Sequence, residues 1–127
     1  MTSSIRKHRL RAAGNQEFRC HYCGLPIWTD DPSGFAARNG LTMGQVRLLH
    51  CTAEHLQARV DGGTNRADNL VAACLHCNRS RHRARNPLSP AQYHARVRSR
   101  MEQGRWLAAV MPQHFVRLAK SRRRSRA

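Results

Sequence analysis

The stretch Ala53–His82, AEHLQARVDGGTNRADNLVAACLHCNRSRH, sets an acid beside a histidine, then a double glycine, an asparagine opening an apolar run, a C-x-x-C pair, and a histidine four residues after an asparagine. LHCTAEHL, which runs into this stretch, reads as a strand. DGG at 61–63 is a turn. NLVAAC reads as a second strand, and LHCNRSRHRAR has helical character up to Asn86, because Pro87 stops it. The expected order is strand, loop, strand, helix. Glu54 and His55 lie near the end of the first strand. Adjacent strand residues point to opposite faces, so this pair requires the strand to bend or end there. Asn78 and His82, at i and i+4, share one face of the helix.

An acid (Glu54), an amide (Asn78) and an imidazole (His82) are thereby placed to converge on one hard or borderline cation. A cation held by few protein ligands keeps positions open for water and for a phosphate oxygen. A neutral imidazole is available near neutral pH, so His55 beside such an ion is suited to take a proton from water. This is the constellation of a phosphodiester hydrolysis site.

The cysteines extend outward from it. Cys20-x-x-Cys23 and Cys74-x-x-Cys77 are two knuckles, and four thiolates suit a closed tetrahedral structural zinc site. Gly24, just after the second cysteine, permits the tight turn of such a knuckle. The long gap between the pairs means that zinc would pin two distant segments together, with the central unit looped between them. The fifth cysteine, Cys51, has no partner spacing and is expected as a buried strand residue.

The 127 residues suit one domain, and with only 6% aromatics the core is thin enough to need a staple such as a metal. The 23 Lys and Arg against 7 Asp and Glu give a formal charge of +16. Such a charge attracts polyanions, nucleic acid first and an anionic membrane surface second. No apolar run follows the basic start, and no stretch reaches the roughly 20 apolar residues of a spanning helix. The expectation is a soluble, cytoplasmic protein without a membrane partner, in which paired C-x-x-C means metal rather than disulfide.

Along the chain, residues 1–16 read as a basic arm or short helix, and residues 17–86 as the central unit, with an insert at about 30–50. Within that insert TDDPSGF is turn chemistry, and LTMGQVRLL a short helix capped by Thr42. Residues 87–114 form a helical extension, in which Ser89 caps a helix, Pro90 takes its first position and Gly104 closes it. Residues 115–127 read as a mobile basic tail.

The central segment resembles the ββα-metal core of the HNH nuclease family, whose pattern is an acid-His pair, a Gly-Gly loop, an Asn, then C-x-x-C followed by His or Asn and a basic residue. Here those positions read Glu54-His55, Gly62-Gly63, Asn69, Cys74-x-x-Cys77, Asn78 and Arg81. The resemblance implies an α+β fold: a small ββα-metal core, a two-stranded hairpin plus helix, stapled by the four-cysteine zinc site and joined by additional helices. It implies His55 as general base, Glu54 and Asn78 as holders of the catalytic metal, and Asn69 as the residue fixing the loop and the orientation of His55. In colicin-type members the helix carries two ligands four residues apart; counted from Asn69, these fall on Asn78 and His82, which makes His82 a third ligand. Glu54 stands where Asp is common, and Asn78 where a His often is. Oxygen ligands favour magnesium or manganese, and His82 keeps nickel and zinc open. Beside a phosphate site, Arg79, Arg81 and Arg83 become phosphate contacts, with Arg81 as the clamp. The implied function is a metal-dependent DNA endonuclease. The alternatives are a zinc-stabilised nucleic-acid-binding module without catalysis, which needs the cysteines and arginines but not Glu54, His55 or Asn78, and an RNase. Neither cleavage specificity nor oligomeric state is legible.

Overall fold

The computed structural model describes residues 3–120. Two short strands, β1 (Cys51–His55) and β2 (Leu70–Cys74), form an antiparallel hairpin in which Cys51 pairs with Cys74 and His55 with Leu70. β2 runs without a loop into helix α4 (Leu75–Arg83), and the Cys74 thiol caps that helix by accepting from the Cys77 N–H. The helix ends at Arg83, three residues before the expected Asn86, and Pro87 follows it. The expected strand-loop-strand-helix order is therefore the observed one, and the molecule is a small α+β fold.

Helix α1 (Ser3–Asn15) occupies the segment read as an arm or short helix. It packs on the hairpin through Ala13, which is fully buried, and through Arg9, whose guanidinium donates to the Cys51 carbonyl at 3.1 Å. Just after it, the Gln16 amide mimics a third strand. Its Nε2 donates to the Ala72 carbonyl at 2.8 Å, and its Oε1 accepts from the Ala72 N–H at 2.9 Å, satisfying an edge of β2. No periodicity in 1–16 announces this role.

The insert holds helix α2 (Pro32–Asn39) and helix α3 (Met43–Leu48). TDDPSGF, expected as a turn, opens α2 instead: Asp31 accepts from the Gly34 N–H and Pro32 takes the first helical position. Turn residues and helix-start residues are the same chemistry, which local reading does not separate. Thr42 caps α3 in a full capping box, as expected. Helix α5 (Pro90–Glu102) begins at the Ser89 capping box and is followed by Gln103 and by Gly104 at φ 73°. A short helix, α6 (Gln113–Val116), lies near the end of the described chain. Phe115 is fully buried and Ala119 nearly so, and the Leu118 carbonyl accepts from Arg19. Residues 115–120 therefore belong to the folded body and not to the expected tail; the rest of that expectation, 121–127, lies outside the described residues.

The two knuckles meet. The Sγ atoms of Cys20, Cys23, Cys74 and Cys77 all lie within 4.8 Å of one another, and all four residues are buried. A tetrahedral zinc site of four thiolates places its sulfurs about 3.8 Å apart, so the cluster fits the ion with little movement. Gly24 closes the first knuckle at φ 79°, where a Cβ would also strike the Arg98 guanidinium at 2.6 Å. Backbone amides of Tyr22 and Cys74 point at the Cys20 sulfur, at 3.4 and 3.3 Å. Burial opposes ionisation of Cys20, but hydrogen bonds from the other three thiols and from the Cys74 amide outweigh it and hold this thiol well below its usual range. The four cysteines are thus positioned to form a zinc site. Cys51 stays outside it; burial pushes its thiol up to about 11, which suits a packed strand residue and not a ligand.

Purified protein is expected to hold one zinc per chain, and Cys74→Ser to lose both zinc and cooperative melting, because such metal binding contributes on the order of 10 kcal/mol at neutral pH. Metal analysis of the folded wild type together with thermal denaturation of the variant checks this.

Candidate active site

The loop between the strands is shaped by its two glycines for different reasons. Gly62 sits at φ 90°, a left-handed conformation that side chains rarely adopt. At Gly63 a Cβ would lie 1.8 Å from the Gln57 carbonyl oxygen, so only glycine lets the returning chain pass. Asn69 then laces the loop shut. Its Oδ1 accepts from the Gln57 N–H at 2.8 Å, and its Nδ2 donates to the carbonyls of Gln57 and Thr64, at 3.0 and 2.8 Å. All three amide bonds hold backbone, and none reaches His55.

His55 closes β1 and is half-buried. Its Nε2 lies 2.8 Å from Asn65 Oδ1. An amide oxygen only accepts, so Nε2 carries the proton and Nδ1 is left with the lone pair. The residue that directly holds the His55 ring is therefore Asn65, which the sequence reading missed. Its one signal was an amide inside the loop, two positions after the double glycine.

Glu54 points the other way and is fully buried. Its Oε2 accepts from the Tyr22 hydroxyl at 2.8 Å and from Arg81 Nη1 at 3.1 Å, while its Oε1 lies 2.6 Å from His82 Nε2. Burial, and then the Glu54 charge, push Tyr22 ionisation far up, which keeps its hydroxyl a donor. Tyr22 is the second residue the sequence reading missed; a tyrosine between two zinc-knuckle cysteines carries no signal for a contact with a strand acid.

Arg81 does not sit as a phosphate clamp. Only 6% of it is exposed. Besides Glu54, its guanidinium donates to the carbonyls of His55, Leu56 and Leu88, at 3.2, 3.2 and 3.1 Å. It holds the buried acid and the chain leaving β1, and it is not turned toward a ligand. Arg79 and Arg83 are exposed. They line a cavity of about 520 Å³ together with Leu75, Asn78 and His82. Asn78 Nδ2 donates to Thr52 Oγ1 at 3.0 Å and to the Ala53 carbonyl at 3.1 Å. That commitment leaves Oδ1 as the atom of Asn78 with ligand capacity.

Two metal-capable atoms meet here, since Glu54 Oε1 and His82 Nε2 lie 2.6 Å apart. His82 is part-exposed, with 31% of its side chain accessible, and it covers the buried Glu54 Oε1. One face of α4 presents Asn78 and His82, and the end of β1 presents Glu54 and His55.

A two-stranded hairpin, a glycine-bent loop and a helix that shares its zinc knuckle define a ββα unit with an acid-His pair at its centre. Residues 40–84 match the family model of HNH endonuclease. No curated protein and no solved structure matches the chain. The match covers the ββα unit, and the four-cysteine cluster that ties this unit to the N-terminal knuckle is consistent with it. The family points to a nuclease acting on nucleic acid. No helix among the described residues is long and apolar enough to cross a membrane.

Removing one partner of a buried ion pair leaves the other charge uncompensated, so Arg81→Ala should lower stability by about 3–5 kcal/mol. Urea denaturation checks this. Arg79→Ala, at an exposed position on the same helix, should stay within about 0.5 kcal/mol of wild type.

Proposed function

We propose that the protein is a metal-dependent endonuclease that hydrolyses phosphodiester bonds in DNA, with His55 as the general base. The observation that carries this is the pairing at the end of β1: His55 held by Asn65 at 2.8 Å, next to a fully buried Glu54 that His82 covers at 2.6 Å. Burying a carboxylate costs several kcal/mol unless it is compensated. A module that only bound nucleic acid would have a structural use for Glu54 with Tyr22 and Arg81, but none for the His55–Asn65 pair beside it.

With its proton on Nε2, His55 accepts a proton at Nδ1 from a water molecule, and the resulting hydroxide attacks phosphorus and displaces a bridging oxygen. Asn65 keeps the ring in this tautomer and stabilises the imidazolium that forms. Asn69 positions the loop carrying Asn65 and does not act on His55 directly. Glu54, Asn78 and His82 would hold a divalent ion, which when bound would supply Lewis-acid neutralisation of the charge that develops on the phosphate. The two oxygen donors favour magnesium or manganese over nickel and zinc. The formal charge of +16 supports a polyanionic substrate, and exposed Arg79 and Arg83 at the cavity supply its phosphate contacts.

His55→Ala should keep the zinc, the fold and most of the DNA affinity, while cleavage of supercoiled plasmid falls by roughly a hundredfold or more, the usual scale for loss of a general base. Asn78→Ala should lose activity in a way that raised metal concentration partly restores, because it removes a ligand and not the base. A folded His55→Ala protein that cuts at the wild-type rate excludes His55 as the base. Wild type that stays inert on plasmid with magnesium, manganese, nickel and zinc, and yet binds DNA, favours the binding module. Preferential cutting of an RNA of the same sequence makes the protein an RNase.

A further inference from the structure

Helix α5 and the turn after it lie outside the HNH match, yet they build a second cavity against α4. It holds about 480 Å³, and Arg83, Arg96, Arg100, His76 and Trp106 are among its lining residues. No carboxylate lines it. Arg83 also lines the cavity beside Asn78 and His82, so the two hollows meet at one side chain.

The charges here are uncompensated. The ion pairs among the described residues are Arg38–Asp31, Arg81–Glu54 and His82–Glu54, so Arg83, Arg96 and Arg100 form none there. Arg96 and Arg100 lie four residues apart on α5, on one face of it, where like charges repel. An anion in the groove relieves that repulsion.

The groove is also rigid. The Arg100 guanidinium lies over the Trp106 ring, 5.5 Å from its centroid. The indole is fixed in turn: His76 packs edge-on at 4.7 Å, and Nε1 donates to the Cys77 sulfur at 3.4 Å. Trp106 adopts φ 60°, a left-handed conformation that a bulky residue takes only where its surroundings hold it there. The same four-cysteine cluster that positions α4 thus orients Arg100 toward the groove.

We propose that this groove carries the phosphodiester backbone of the bound nucleic acid away from the cleavage site, with Arg83, Arg96 and Arg100 as its phosphate contacts and Trp106 as the residue that positions Arg100. The direction of the path rests on the nuclease reading; the recognition of the backbone does not.

The test uses zinc-loaded full chain, a short blunt DNA duplex of mixed sequence, the same duplex as RNA, and no added divalent ion, so that binding is read without cleavage. Arg96→Ala/Arg100→Ala removes two charges, and Arg47→Glu, at an exposed position outside both cavities, removes the same net charge. The double variant should weaken binding on the order of tenfold and flatten the salt dependence by about 1.8 slope units, roughly 0.9 for each lost phosphate contact. Arg47→Glu should leave the slope unchanged. Duplex should also quench tryptophan emission in wild type and not in Trp106→Phe. A double variant no weaker than Arg47→Glu, or tryptophan emission that the duplex does not move, would overturn the proposal. Groove effects with the RNA duplex alone uphold the groove and change the substrate. Plasmid cleavage by wild type with an unaltered slope in the double variant sinks the groove and spares the nuclease; groove-dependent binding without cleavage does the reverse.

Discussion

The convergence of four thiols from two distant knuckles is the constraint on which the rest depends. Cys74 ends β2 and caps α4, and Cys77 lies in the first turn of that helix. Fixing both sulfurs fixes where α4 begins and how it is rotated. Asn78, Arg81 and His82 then take their places relative to the hairpin by helical periodicity alone. The other knuckle brings Tyr22 to Glu54 and Arg19 to the Leu118 carbonyl. Trp106 bonds the Cys77 sulfur, and the Tyr93 hydroxyl donates to the Cys77 carbonyl at 2.8 Å, so α5 and the turn after it are tied to the same point. A chain with so few aromatics obtains through this cluster the rigidity that a larger apolar core would supply.

Glu54 shows why a site of this kind is demanding to fold. A fully buried carboxylate is tolerated only when its lone pairs are occupied, and Tyr22, Arg81 and His82 occupy them. Arg81 is itself held by three backbone carbonyls, two of them at and just after the end of β1. Its fork therefore reads the geometry of the strand exit as well as the charge of the acid. Only His82 faces solvent among the Glu54 partners, so access to the acid runs through this histidine. The two carboxylate oxygens differ in surroundings: Oε2 is held by Tyr22 and Arg81 inside the fold, and Oε1 by His82 at its edge.

Charge is distributed with the same economy. The chain has 23 Lys and Arg against 7 Asp and Glu, so most arginines are left without a carboxylate whatever the pairing. The resulting self-repulsion weakens the compact state and is relieved by a polyanion or by salt. Arg81 is the exception that clarifies the rest: the fold has withdrawn it from solvent onto Glu54, while its neighbours Arg79 and Arg83 remain outside.

Local chemistry settled much of this in advance. Strand, glycine loop, strand and helix followed from apolar pattern and Pro87; the helix caps at Thr42 and Ser89 from residue type; and the zinc site from two C-x-x-C pairs. Convergence of Glu54 and His55 was expected from a bend or end of the strand; β1 does end at His55, but Glu54 turns to Tyr22, Arg81 and His82 while His55 turns to Asn65. Tertiary structure alone decided the rest, because it concerns which side chains from distant segments meet. Gln16 as a strand surrogate, Tyr22 on Glu54, Asn65 rather than Asn69 on the His55 ring, the withdrawal of Arg81 and the burial of Phe115 each depend on contacts that no local propensity encodes. The sequence by itself determined the central strand, loop, strand and helix and the chemical types at the site; only the packed chain decided which arginine is structural and which amide holds the histidine, since burial and hydrogen-bond satisfaction are properties of the whole fold.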